Sequence, residues 1–322
     1  MSMPQFRWIP RILLAGLLFW LAPLNAAEAT ESSTAGARKT SIVVGFAQDT
    51  LANDWRMAQV RALQEGFAPY PHIRFVYTDG KGSTAKQIQD VEDLIYSGID
   101  ILITSPRDSR AMTPVITQAY EKGIPVILLT RKIDSSAYTT FIAPDDEAIA
   151  RDAARYLANR LNGKGSVLML QGVPSASTAI VRTNAFISEL GNHPGITLSA
   201  IKTANYLRSD AIKAVEEVLQ QGIHFDAIYA QSDSMASGAR IALKKAGISL
   251  EKLLIVGIDY ITEAREAIRN GQQSASFTYP TCAEEAVEVV LAITAGKPQP
   301  KIIRVPSLRV TRDNADQIVP IF

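Results

Sequence analysis

Cysteine is nearly absent from this 322-residue chain: Cys282 is the only one. No intramolecular disulfide can form, so stability has to come from a buried core rather than from covalent staples. Histidine is almost as scarce. His72, His193 and His224 sit in turn-like sequence ahead of β-branched runs, and neither H-x-x-x-H nor C-x-x-C spacing offers a metal site. The phosphate and nucleophile motifs G-x-G-x-x-G, G-x-x-x-x-G-K-[ST] and G-x-S-x-G are missing too. Gly163-Lys164-Gly165-Ser166 precedes a strand, whereas a P-loop follows one, so it reads as a turn. Cys282 stands at the start of a helix, where a thiol can be acidified, but a lone cysteine is ordinarily a small packing residue. Nothing here asks for an enzyme, a metal or a cofactor.

A surplus of one charge is also lacking. The formal net charge is +1, and without residues 1–29 there are 31 basic residues against 31 acidic ones. A nucleic-acid or acidic-membrane partner needs a basic field that this balance does not supply. Long apolar runs are confined to the start. Arg7 and Arg11 precede Ile12–Leu24, a 13-residue apolar stretch, and small residues follow up to Ala27-Glu28-Ala29. This is the three-part layout of a secretory signal peptide, with cleavage expected before Thr30. A bilayer-spanning anchor needs about 20 apolar residues, and Pro23 breaks the run near its end. The sequence thus predicts a signal peptide over 1–29, a flexible polar arm over 30–40, and export to the periplasm.

From Ser41 onward, short β-branched runs alternate with amphipathic stretches. Strands are expected at Ile42–Ala47, Ile73–Thr78, Ile99–Thr104, Pro125–Leu129, Tyr138–Ile142, Ser166–Leu170, Ile196–Ile201, Ala227–Ala230, Leu253–Ile258 and Ser274–Tyr279. Between them Ile88, Val91 and Ile95 share a helical face, as do Ile149, Ala153, Tyr156 and Leu157. The pattern is a βα repeat, hence an α/β fold with parallel sheets. One sheet would have to carry too many strands, so two Rossmann-like lobes are expected. Residues 41–143 with 280–300 form the first; 144–279 with 301–322 form the second. Three crossings between them would leave a cleft beyond the carboxyl ends of the strands, where α/β folds bind ligands.

The residues just past those strand ends are suited to a polar ligand. Asn53, Asp54, Trp55 and Arg56 follow the first strand, although Asn53 or Asp54 could simply cap the coming helix. An aromatic face beside charged donors suits a sugar, which stacks its C–H face and bonds through its hydroxyls. Thr130 and Arg131 follow the fourth strand, where an unpaired charge would be costly. In the second half, Arg182, Ser232 and Asp259 fall at corresponding places, and Asp233 reads as a helix N-cap.

The segments VGFAQ-x6-WR, LLTRKID, LQG-x3-AS-x-AI-x-R, YAQSDSM and GID together resemble the type I periplasmic sugar-binding proteins. The resemblance runs over nearly all of Ser41–Asn314 and is nearest the galactofuranose- and ribose-binding group of ABC importers. It implies two lobes joined by three hinge strands, closing over one sugar without chemistry. The matching ligand contacts would be Asn53, Asp54, Trp55, Arg56, Arg131, Arg182 and Asp259, with Tyr206 as an aromatic wall and Tyr279 at the hinge. Thr130 and Ser232 stand where the family commonly has Asp and Asn, which implies an altered ligand. The implied partners are a membrane permease or a sensor kinase, and a monomer is expected. Two other readings compete: an exported hydrolase using Asp54 and Asp259, and a repressor, which lacks the required N-terminal helix-turn-helix. Replacing Arg182 by Ala is expected to weaken binding far more than melting.

Overall fold

The computed structural model describes residues 41–322; the expected leader and arm lie outside the described residues. Along the chain come β1 (Ile42–Gln48), α1 (Asp54–Phe67), β2 (Ile73–Asp79), α2 (Thr84–Tyr96), β3 (Ile101–Thr104), α3 (Thr113–Glu121), β4 (Val126–Leu129) and β5 (Thr140–Ala143). A second βα series follows: α4 (Asp146–Arg160), β6 (Gly165–Gln171), α5 (Ser177–Leu190), β7 (Ile196–Thr203), α6 (Arg208–Gln220), β8 (Ala227–Ala230), α7 (Asp233–Lys245), β9 (Leu254–Val256) and α8 (Thr262–Arg269). The chain ends with β10 (Ser276–Phe277), α9 (Ala283–Thr294), β11 (Ile302–Arg304) and β12 (Arg309–Val310).

Two parallel sheets result. The first has strand order β2-β1-β3-β4-β5-β11, the second β7-β6-β8-β9, and β10 pairs with β12 in a small antiparallel ribbon. The continuous apolar strands explain this arrangement: β3, β4, β5 and β8 are buried at every position, as strands covered on both faces must be. On one face of the first sheet, Leu63 and Phe67 of α1 pack with Val287 and Val290 of α9. On the other, Val91 of α2 and Ile116 of α3 cover Leu102 and Leu128. The second sheet is covered likewise, by α4 and α5 on one side and α6 and α7 on the other. Truncating a fully buried residue such as Leu63 to Ala would cost about 2–5 kcal/mol. Helices stop where the sequence offers glycine: Gly98 and Gly222 hold φ of 77° and 65°, left-handed values that a Cβ would disfavour.

The chain crosses between the sheets through residues 143–146, 277–283 and 304–309. One expectation changes here. The lobe boundaries read from the sequence assign Ile302–Arg304 to the second lobe, but it pairs in parallel with Phe141–Ala143 of the first sheet. It extends an existing β edge, which a three-residue strand could not build alone.

Candidate ligand-binding site

The carboxyl ends of β1 and β4 face those of β6, β8 and β9 across one cavity. It is lined by Asn53, Trp55, Arg56, Thr130, Arg131, Thr178, Arg182, Tyr206, Ser232, Asp259 and Tyr279. Ten of the residues singled out from the sequence therefore meet around one space. The exception is Asp54, which is exposed and reaches Arg208 at 3.5 Å instead. The α1 helix explains the difference: Asn53 is its N-cap and Asp54 its first residue, so the two side chains leave the helix in different directions.

Asn53 serves both roles considered for it. Its Oδ1 accepts from the Arg56 backbone N–H at 3.1 Å, capping the helix, while its Nδ2 donates to the Tyr206 carbonyl at 2.6 Å across the cleft. Trp55 is buried, donating Nε1–H to the Tyr279 carbonyl at 2.9 Å, with the two rings tilted and 5.8 Å apart. The Arg56 guanidinium lies over the Trp55 ring and donates to Ser105 Oγ at 2.8 Å. Burial, and then the neighbouring Arg131, push Arg56 down to about 10.

Two carboxylates behind the wall hold the arginines in place. Asp49 Oδ2 lies 2.8 Å from Arg131 Nη1, and its Oδ1 lies 3.3 Å from Arg56 Nε. Burial opposes the charge on Asp49, but Arg131, Arg56 and Arg107 outweigh it and hold the carboxyl below its ordinary value. Asp146, the first residue of α4, accepts from Arg182 Nε at 2.8 Å and from the Tyr279 hydroxyl at 3.3 Å. Burial works against the Arg182 charge, and Asp146 more than offsets it. Asp49, Asp146 and Thr178 are not singled out by the sequence. Asp49 and Thr178 stand inside the strand-end stretches that carry the site, but only the fold shows which way their side chains turn.

Ser232, not Asp233, caps α7, accepting from the Met235 N–H at 3.3 Å. Asp233 instead turns inward, where its Oδ2 accepts from the Tyr260 N–H at 2.7 Å and from Ser276 at 2.6 Å. Burial pushes it up to about 6. Asp259 is raised well above the usual carboxylate range, by burial and then by Asp233. Backbone strain gathers at this cavity. Thr130, Tyr206 and Asp259 have φ of 59°, 63° and 117°, conformations that β-branched and bulky residues rarely adopt unless their surroundings hold them. Cys282 stands at the N-cap position of α9 without a side-chain cap bond, and burial, then Glu285 and Asp146, push its thiol well above its ordinary value.

An interlobe cavity with aromatic walls and paired arginines defines a ligand-binding protein of the two-lobed α/β class. Residues 44–298 match the family model for the periplasmic binding protein domain, and the chain belongs to that family. A xylitol-binding protein of Mycolicibacterium smegmatis is 31% identical over 206 residues, which cover 64% of this chain and 58% of that one. A galactofuranose-binding protein of Escherichia coli is 30% identical over 261 residues, 79% of this chain and 81% of its own. Among solved structures, the fructose-binding periplasmic domain of a hybrid two-component system superposes with a TM-score of 0.81 at 31% identity. It covers 86% of this chain and 92% of its own.

Proposed function

We propose that this chain is an exported solute-binding protein that captures a small sugar between two lobes and delivers it to an ABC importer. The observation that carries the reading is the composition of one cavity wall: Trp55 and Tyr206 as stacking faces, Arg56, Arg131 and Arg182 as donors, and Asp259 as acceptor. The lobes comprise residues 41–143 with the α9–β11 return, and 144–279 with the C-terminal segment. Opening and closing about the three crossings admits the ligand, which favours the closed form by touching both lobes. Residues 1–29 act as a cleaved signal peptide, and the protein works as a periplasmic monomer. Micromolar affinity, about −8 kcal/mol, is within reach of such contacts.

Catalysis is no part of this reading. A hydrolase using Asp54 and Asp259 would need both carboxylates at the ligand, and Asp54 turns away to Arg208. The test is calorimetry of ligand-free protein against pentoses, hexoses, furanoses, polyols and sugar acids, followed by mass analysis of the recovered ligand. Binding of none, or recovery of a cleaved product, would overturn the proposal.

A second reading is favoured by the likeness to the sensor domain: the closed form docks on a membrane sensor kinase rather than a permease. Cross-linking in membranes distinguishes them, since the partner captured only in the presence of sugar is either a permease or a kinase.

A further inference from the structure

Charge around the cavity is not balanced by its own side chains. Three guanidinium groups line it, Arg56, Arg131 and Arg182, against the single carboxylate of Asp259. Behind the wall, Asp146 serves Arg182, while Asp49 is divided between Arg131 at 2.8 Å, Arg56 at 3.3 Å and Arg107 at 3.9 Å. Asp233, further back, is taken up by Tyr260, Ser276 and Gln273. Among the side chains that line the space, cations outnumber carboxylates three to one, and the carboxylates that offset them stand behind the wall, out of the ligand's reach.

Hydrogen-bonding capacity leans the same way. Arg131 Nε and the Tyr206 hydroxyl are both buried without a partner, and the Arg131 guanidinium lies 5.5 Å from the centre of the Tyr206 ring. Free acceptors are fewer than donors, because Asn53 Oδ1 and Ser232 Oγ have each given one of two acceptor positions to a backbone N–H. A neutral polyol brings one hydrogen to donate with every hydroxyl and would find few places to put them. A carboxylate donates nothing and accepts on both oxygens.

We infer, resting on the cleft reading above, that the sugar taken here is an acid: an aldonate or uronate of monosaccharide size. Its carboxylate lies on the Arg131–Tyr206 side and its hydroxyls reach toward Asp259. The raised Asp259 agrees, since burial and Asp233 disfavour its charge and so weaken its offset of the arginines.

The experiment is calorimetry at pH 7 on the ligand-free protein. D-galactonate, D-gluconate, D-galacturonate, D-glucuronate and L-arabinonate are each compared with galactose, glucose, L-arabinose, galactitol or glucitol as the neutral counterpart. At least one acid should bind ten times more tightly than its neutral counterpart. Thr130→Asp adds a carboxylate beside Arg131, at a φ that Asp tolerates better than Thr, and should erase that preference without lowering the melting temperature. Neutral sugars binding as tightly as their acids would overturn the inference and leave the cleft reading standing. Failure of both sets to bind would overturn the cleft reading itself. The wild-type comparison decides between these outcomes even if the variant does not fold.

Discussion

Arg182 Nε lies 2.8 Å from Asp146 Oδ1, and the pair is buried at the rim of the cavity. Arg182 also donates from Nη1 to the Gln231 carbonyl, so it ties α5 to the start of α4 and to the end of β8. Its role is therefore structural before any ligand arrives. Arg182→Ala would leave a buried carboxylate unpaired and should cost about 3–5 kcal/mol in urea unfolding of the ligand-free protein. That reverses the expectation from sequence, in which melting changes little. Adding Asp146→Asn should recover part of the loss; an Arg182→Ala protein as stable as wild type would refute the account.

Gly172 sits against the face of Tyr206. A methyl group there would overlap the ring, beside which the Arg131 guanidinium already lies. Gly172→Ala should destabilise by about 1–3 kcal/mol, as overpacked sites do, and should weaken ligand binding by moving an aromatic wall. Tyr206→Ala in the same chain should remove the penalty, a non-additivity that a double-mutant cycle by thermal denaturation reads directly.

Raised carboxyls make stability fall as pH rises, Asp233 and Asp259 foremost, with Asp146 also raised by burial. Asp233 titrates near 6 when folded against 3.8 as its ordinary value, so within that window the folded state holds a proton the unfolded chain has released. Every tenfold gain in proton affinity on folding corresponds to about 1.4 kcal/mol, present below the window and lost above it. Asp259, also raised, adds to the loss on the alkaline side. Asp49 acts oppositely, since its lowered value contributes stability that disappears only in acid. Ligand-free protein should therefore melt higher at pH 5 than at pH 7.5 and decline below pH 4. Asp259→Asn should flatten the upper limb, and equal melting at pH 5 and 7.5 would contradict the assignment.

Direct hydrogen bonds join the lobes beside the cavity. Thr178 Oγ1 donates to the Thr130 carbonyl at 2.7 Å, and the Ser109 N–H donates to the Ser175 carbonyl at 3.0 Å. Removing the first with Thr178→Val should shift the balance toward an open form by about 1 kcal/mol. Scattering would read it as a larger radius of gyration without ligand, and calorimetry as roughly fivefold weaker binding. Unchanged scattering would mean the bond contributes nothing to closure.

The lobes and their order are legible in the sequence because each βα unit repeats a strong local signal: a short apolar run, a polar turn and a one-sided helix. The lining residues are legible because parallel strands deliver their next few residues to one rim. What stays hidden depends on direction and on distant partners. Asp54 and Asn53 are adjacent in sequence, yet one faces solvent and the other the cleft, a choice made by the first turn of α1. Asp146 is a first-turn acid that any helix would accept, and only the arrival of Arg182 from α5 gives it a second use. Asp233 has the look of a cap because Asp favours that position, but Ser232 reaches it first and frees Asp233 to turn inward. The edge strand Ile302–Arg304 carries too few residues to announce which sheet will take it.

Trp55 carries a consequence of its own. The other two tryptophans, Trp8 and Trp20, both precede residue 30, so a chain beginning there has a single indole, and it stands in the cavity wall. Its N–H is fixed to the Tyr279 carbonyl at a crossing between the sheets, and the Arg56 guanidinium covers its ring. Parting the lobes would draw that ring away from the apolar cluster it shares with the second lobe, while Arg56, held by Asp49 and Ser105 of the first lobe, would stay with it. In a chain beginning at residue 30, tryptophan fluorescence would thus be an unlabelled gauge of closure, readable at one wavelength in real time.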